Sequence, residues 1–332
     1  MSNKFIIAID AMGGENSPKK IIDGIIDFSN NKSDIFYKIF GNKNKIEQVL
    51  SNKLNKDTYE IIHTEDFVKD EDSALMGAKN KNTSMWMAVE SVKNKESDIV
   101  ISAGNTGALF VIAKLNLEMI EKIEKPALSG LWPNKYGMNV VLDLGANIEC
   151  SEKNLIDFSI MGTSLFKSLF PTEEPKVALL NIGSEAYKGN EIIKNTYQKL
   201  TTMKKKFIFK GYVEGNNIMS GDVNVIVTDG FTGNIALKTA EGTANFISTE
   251  LKKAITGNLI GKFSTLININ NLNKFKDKLD PRKYNGAILI GLKSPVVKSH
   301  GSTDHVCFSK SLSVCEKIIK GRLIDKIKEN IF

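Results

Sequence analysis

The chain has 332 residues, of which 42% are hydrophobic and 25% charged; this excludes disorder, collagen and a multi-span membrane protein. The length fits two domains or one large α/β domain. Lys plus Arg number 45 against 38 acids, for a net charge of +7, yet only Arg282 and Arg322 are arginines and no basic run stands out. Readers of bases and phosphate backbones lean on arginine forks. The lysine-rich balance therefore points away from nucleic acid and toward anionic small substrates, an acidic partner protein or an anionic membrane surface.

Short apolar runs at 5–9, 35–40, 59–63, 98–102, 139–144, 176–181, 207–213 and 223–228 read as strands. They are rich in Ile and Val, and many are apolar on both faces, as buried parallel strands are. Helical patterns lie between them. Residues 18–28 carry Ile21, Ile22, Ile25 and Ile26 on one face, with Pro18 suited to a first turn, and 84–92 and 154–170 have similar periods. The alternation predicts a Rossmann-like α/β fold: a doubly wound, mostly parallel sheet with helices on both faces and right-handed crossovers.

The last third changes character. Residues 233–253 read as one long helix, after which Ile247, Leu251, Ile255, Leu259, Phe263 and Ile267 recur every four residues. Gly257 and Gly261 interrupt this ladder, Lys252, Lys253 and Lys262 flank it, and the Asn-rich stretch 268–273 reads as a loop. Leu312, Cys315, Ile319, Leu323 and Ile327 mark a C-terminal helix. With no long linker and no internal repeat, the expectation is a single α/β domain over 1–332. A helical segment at about 234–279 then serves a dimer, a membrane surface or both. Its tip at Leu259, Ile260 and Phe263 is the candidate membrane contact. No run of 18 apolar residues occurs and the run at 5–9 is too short for a signal-peptide core, so a cytoplasmic protein is expected. Cys150, Cys307 and Cys315 lack CxxC spacing and read as buried reduced thiols. His305 and Cys307 are too few for a zinc site, and no metal is expected.

The informative residues follow the strands. Five loops are glycine-rich and polar: Asp10 to Gly14, Ser102 to Gly107, Asp143 to Asn147, Asn181 to Asn190 and Thr228 to Asn234. Ligands of open α/β sheets bind outside the carboxyl ends of strands, where Gly lets backbone approach them and helix starts attract anions. The familiar motifs fail. No GxGxxG follows the first strand, residues 257–262 are one residue short of a P-loop, and no GxSxG or HExxH occurs. His63 reads as structural, while His300 sits among small polar residues, as in a ligand loop.

Taken in order, Asp10-Ala11-Met12-Gly13-Gly14, Ser102-Ala103-Gly104-Asn105-Thr106-Gly107-Ala108-Leu109, Leu179-Leu180-Asn181-Ile182-Gly183 and Lys188-Gly189-Asn190-Glu191 resemble the bacterial phosphate acyltransferase family PlsX. So do Thr228-Asp229-Gly230-Phe231-Thr232-Gly233-Asn234, Ala236-Leu237-Lys238, Asp280-Pro281-Arg282-Lys283-Tyr284-Asn285-Gly286-Ala287 and Pro295-Val296-Val297-Lys298-Ser299-His300-Gly301. The sequence departs from the family at Glu15-Asn16, where Asp-His is usual, and at Ser184 to Tyr187, where the family is Glu-rich. The resemblance implies an enzyme making acyl phosphate from acyl–acyl carrier protein and inorganic phosphate, with no cofactor. It also implies a homodimer with a fold like that of phosphotransacetylases and isocitrate-dehydrogenase-like enzymes. Such a dimer associates peripherally with the membrane and feeds a membrane glycerol-3-phosphate acyltransferase.

That reaction needs no side-chain nucleophile, because phosphate itself attacks the thioester. Lys188 and Lys298 are first choices to hold phosphate, with backbone N–H groups around Gly13, Gly14, Gly104 and Gly107. Asp10, Asn147 and Asn181 are further candidates at the substrate. Asn105 and Asn234 are candidate donors to the carbonyl oxygen, Asp229 could orient phosphate or accept a proton, and His300 could protonate the thiolate. Strand-end aspartates also cap helices, so Asp10, Asp143 and Asp229 have a structural alternative. A phosphotransacetylase using acyl-CoA and a non-catalytic membrane-surface regulator are the competing readings.

Overall fold

The computed structural model describes residues 4–30, 32, 34–203, 206–257, 270, 286–301 and 304–331. The first third forms β1 (Phe5–Asp10), α1 (Lys19–Ser29), β2 (Ile35–Gly41), α2 (Lys43–Leu50), β3 (Tyr59–His63), α3 (Ala74–Gly77), α4 (Ser84–Lys93), β4 (Ile99–Ser102) and α5 (Thr106–Asn116). The middle adds β5 (Ala127–Pro133), β6 (Met138–Leu142), α6 (Glu152–Leu169), β7 (Lys176–Leu180), α7 (Glu191–Thr202), β8 (Ile208–Val213) and β9 (Val225–Val227). The last part holds α8 (Gly230–Thr256), β10 (Ala287–Ile290), β11 (Val296–Lys298), α9 (His305–Lys320) and α10 (Leu323–Ile331).

One 11-stranded sheet runs in the order β3-β2-β1-β4-β11-β10-β5-β6-β9-β7-β8. Seven of its pairings are parallel; β11–β10, β10–β5 and β5–β6 are antiparallel. The expectation of a mostly parallel sheet with helices holds. The antiparallel centre was not expected, because β5 is broken by Ser129, Gly130 and Pro133, and β11 is three residues long. Three reversals turn the second half of the sheet over. The carboxyl ends of β6, β9 and β7 therefore point opposite to those of β1, β4 and β11, so the five polar loops do not gather at one edge.

Strand alternation divides the core in two. Ile7, Ile9, Ile101, Ile288, Val297, Leu142, Val227 and Leu179 face one side, and α1, α6, α9 and α10 cover them as one continuous cluster. The opposite side is split. Ala8, Val100, Leu289 and Val296 pack under α4 and α5, whereas Val141, Ala178 and Ile226 form a separate cluster with Trp132 and Leu144.

Helix starts follow from their caps. Thr83, Asn105, Asn190, Asp229 and Asp304 each accept a backbone N–H in the first turn, and Ser151 and Asn154 form a reciprocal capping box. The helix expected at 233–253 runs from Gly230 to Thr256, and among its described residues only Gly230 and Gly233 are buried. Leu259, Ile260, Phe263, the Asn-rich stretch except Asn270, and residues 280–285 lie outside the described residues.

Two glycines of α8 make opposite predictions. A Cβ on Gly233 would stand 1.9 Å from the Asp143 carbonyl oxygen, whereas one on Gly242 would meet nothing within 4 Å. Gly242→Ala should stabilise the helix by about 0.5–1 kcal/mol. Gly233→Ala should cost about 3 kcal/mol through overpacking, a fall in Tm on the order of 5 °C in thermal melts followed by circular dichroism. Equal effects from the two variants would contradict the packing.

Candidate active site

Pairing across the sheet assembles the first group of polar residues. Asp10 of β1 is the register partner of Ser102 of β4, and Ser102 is the partner of Lys298 of β11. Partners in register share a face, so the three side chains form one row at the carboxyl ends of their strands. The buried Asp10 carboxylate accepts the Ser84 hydroxyl at 2.6 Å, the Ser102 hydroxyl at 2.7 Å and the Met12 N–H at 3.2 Å. Burial raises its pKa against these hydrogen bonds. Ser102 also accepts the Gly104 N–H at 3.0 Å. Asp10 is thus a clamp that ties β1, β4 and the start of α4 together, not the cap of a following helix.

The clamp brings two loops into contact. A Cβ on Gly13 would lie 2.5 Å from the Gly104 nitrogen, and one on Gly14, whose φ is +80°, would lie 2.7 Å from the Ala103 carbonyl oxygen. Neither position admits a side chain. Lys298 is 9% exposed, and its Nζ donates to the Ala103 carbonyl at 3.4 Å and to the Ser299 carbonyl. Burial, reinforced by the neighbouring Lys20 ammonium, lowers its pKa to about 8. His300 keeps an accessible face, yet partial burial and the Lys298 charge push its pKa below the ordinary histidine value. The neutral imidazole is therefore favoured near pH 7. Lys238 and Glu241 of α8 also act on it electrostatically.

A second group forms where β6, β9 and β7 end. The buried Asp143 carboxylate accepts the N–H groups of Leu128, Ala146 and Asn147 and the Asn147 side-chain amide, at 2.7–3.0 Å. Asn147 spends its other amide hydrogen on the Pro126 carbonyl. Asp229 accepts the Thr232 N–H and hydroxyl, both at 2.8 Å, and is the cap of α8. The Asn181 side-chain amide braces its loop by donating to the carbonyls of Gly183 and Lys188. Asn234 lies over the open face of Gly145. Asp229 and Asn190 line a cavity of about 630 Å³ with Cys150, Ser151 and Lys125, and burial raises the Cys150 pKa to about 11. Twelve residues of α8 separate Asp229 from Glu241, which acts on His300; at 1.5 Å per residue that is about 18 Å. β9 and β7, which lead to Asp229 and Lys188, lie four and five strands from β11 and run opposite to it, so within the chain Lys188 and Asp229 are not brought beside Lys298.

A different cavity, of about 350 Å³, lies in the gap between the two clusters on the split face. Its floor is Val296, Lys298, Leu289 and Leu128, which register places on one face of β11, β10 and β5. Its roof is α5 from Thr106 to Val111 together with Ala74, and Gly145 and Ala146 close one side. Asn105 is the cap of α5, and its two amide hydrogens go to the carbonyls of Asp70 and Asp72. The side chain expected to donate to substrate is thus committed to the 70–72 loop. The first amide groups of α5, at Thr106 and Gly107, lack intrahelical acceptors and stand at the cavity in its place. Sequence reasoning missed Ser84, Ser102 and Lys20. Lys20 left a signal: 20, 24 and 28 form one buried row of α1, and a lysine heads it.

A family model described as fatty acid synthesis protein matches residues 5–326. The chain is 68% identical to a phosphate acyltransferase of Pelagibacter ubique, over 100% of both chains. It is 40% identical to one of Paramagnetospirillum magneticum, covering 99% of this chain and 94% of that protein. Among solved structures, a phosphotransacetylase from Streptococcus pyogenes superposes with a TM-score of 0.65 at 14% identity, covering 97% of this chain and 94% of that one. The EutD phosphotransacetylase from Staphylococcus aureus gives 0.61 at 14% identity, covering 96% and 94%. The structural likeness establishes the fold and the sequence likeness the lineage: the chain belongs to the fatty acid synthesis protein family, whose members include these bacterial phosphate acyltransferases.

Proposed function

We propose that the protein is a phosphate acyltransferase that moves an acyl group from acyl–acyl carrier protein to inorganic phosphate, leaving acyl phosphate and the free carrier thiol. The observation that carries this reading is the cavity whose apolar floor and roof end on the Lys298 ammonium and the α5 N-terminus. An acyl chain needs the first environment and a phosphate the second. The family relationship supports the transfer chemistry; the choice of carrier protein over coenzyme A rests on the resemblance of the motifs.

In this reading an oxygen of hydrogen phosphate attacks the thioester carbon and the C–S bond breaks. The phosphate proton ends on the leaving sulfur. Lys298 and the Thr106 and Gly107 N–H groups hold the anion and meet the oxyanion that develops on the carbonyl. His300, favoured in its neutral form, takes the phosphate proton and returns it to the thiolate. Its role is a relay rather than that of a resident acid. Gly13, Gly14 and Gly104 let backbone approach the anion, and Asp10 holds their loops without touching it. Lys188 and Asp229, at the other end of α8, take no part in this step.

The same reading includes a homodimer, an anionic membrane surface and a membrane acyltransferase that consumes the acyl phosphate. One face of α8 supports the dimer: Phe231, Ile235 and Phe246 are exposed on it within about 60° of one another, as a stripe that a second copy would cover. The apolar ladder and lysines that continue past α8 support the membrane contact.

Four measurements test these assignments. Thiol release from acyl–acyl carrier protein should require inorganic phosphate and should not occur from acyl-CoA. Release from acyl-CoA would place the protein with coenzyme A-dependent phosphotransacetylases, and none from either would sink the enzyme reading. In the same assay Ala74→Phe, on the cavity roof, should lower kcat/KM for long-chain donors at least tenfold while sparing the KM for phosphate. The KM for phosphate should rise above about pH 8, where Lys298 loses its proton. The limiting slope is about tenfold per pH unit, and Lys298→Met should bind weakly throughout and lack that limb. Finally, Leu259→Glu with Phe263→Glu should abolish flotation with anionic liposomes and leave the dimer intact in light scattering. Loss of the dimer would assign those residues to subunit packing.

A further inference from the structure

Lys298 does not stand alone. Lys20, in the first turn of α1, is 5% exposed, and its Nζ donates to the Gly301 carbonyl. The same Nζ lies 3.0 Å from the point where a Cβ on Gly14 would stand. That point is also 2.7 Å from the Ala103 carbonyl oxygen, to which Lys298 donates, and 2.9 Å from the Gly301 carbonyl oxygen, to which Lys20 donates. Two ammonium groups from different elements therefore bond the two carbonyls that flank one left-handed glycine. Among the described residues neither forms an ion pair with a carboxylate, although Lys153, Lys199 and Lys320 on the surface all do. Their hydrogen bonds go to backbone carbonyls, which satisfy donors but do not neutralise charge.

Buried charges are ordinarily paired, and two like charges left together are costly. Each ammonium is held below its ordinary pKa chiefly by burial; the Lys20 charge adds to the effect on Lys298, and the carboxylates that compensate them, Glu15 and Asp70 for Lys20 and Asp70 and Asp10 for Lys298, act only through space. An anion carrying two charges and several acceptor oxygens answers both needs at once.

We propose that Lys20 is a second phosphate-binding residue, which with Lys298 grips inorganic phosphate over the Gly13–Gly14 turn. This rests on the acyltransferase reading for its catalytic consequence, but not for the binding site itself. The competing role is structural: Lys20 fastens the 299–301 loop through the Gly301 carbonyl. Lys20→Gln keeps a donor for that carbonyl and removes the charge, Lys20→Arg keeps both, and Lys20→Met keeps neither.

The test is equilibrium binding of inorganic phosphate to the full-length protein without acyl donor, followed by steady-state kinetics with both substrates varied. Lys20→Gln should weaken phosphate binding at least tenfold, raise the KM for phosphate to match, and leave Tm and the KM for the acyl donor unchanged. Lys20→Arg should recover most of the affinity. Wild-type phosphate affinity in Lys20→Gln would overturn the proposal. So would parallel losses in Tm and in both KM values in Lys20→Met that Lys20→Gln restores, since that pattern belongs to the loop fastener. The wild-type arms separate the two levels: phosphate binding lost in Lys20→Gln, with no thiol release by the wild-type protein, would retain the anion site and discard the acyltransferase reading.

Discussion

The parallel pairing of β11 with β4 is the constraint on which the rest of the site depends. It sets Lys298 beside Ser102, and through Ser102 beside Asp10, so three strands distant in sequence end in one polar row. Asp10 then fixes the loops on both sides of that row through Ser84, Ser102 and the Met12 N–H. A carboxylate so placed exerts its effect on geometry. Without it the Gly13 and Gly104 backbones have no reason to approach as closely as they do.

Most of the sheet was legible because its strands are long apolar runs. Ile7, Ile9, Ile99 and Ile101 declare themselves by type and spacing. What escaped was short or mixed. β11 has three residues and β10 four, and β5 carries Gly130, ends on Pro133 and is only partly buried, so none has a period to detect. The cost of missing them was topological. Without the antiparallel centre, five strand-end loops look like one active-site rim. With it, β9 and β7, which lead to Asp229 and Lys188, lie four and five strands from β11, which ends in Lys298, and point the opposite way.

The candidate site shows the same limit. Residue type distinguished polar loops from the core, but could not tell a residue that meets substrate from one that builds the loop. Asp10, Asn105, Asp143, Asn147 and Asp229 are all strand-end residues in glycine-rich strings, and each spends its oxygens or amide hydrogens on neighbouring backbone or hydroxyl groups. Lys298 and Lys20 differ in that their charge is left over after their hydrogen bonds are counted. That distinction is a property of partners, and partners are set by tertiary contact. The lysine heading the buried row of α1 is the single sequence sign that pointed to it.

The two environments that acyl transfer to phosphate demands are nearly incompatible, since one must exclude water and the other must hold a dianion. β11 reconciles them by parity. Val296 and Lys298 are two residues apart, so both project onto the same face of the sheet. The first extends the apolar floor, and the second ends it in a charge. α5 repeats the device from above, with Leu109, Phe110 and Val111 over the apolar part and its N-terminal amides over the polar end. In the proposed function, an acyl chain lying between them would exclude water from the Lys298 ammonium. In the lowered dielectric that ammonium would act more strongly on the phosphate and on the oxyanion that forms next to it. On that reading, substrate binding in the apolar half would strengthen the chemistry in the polar half with no moving part.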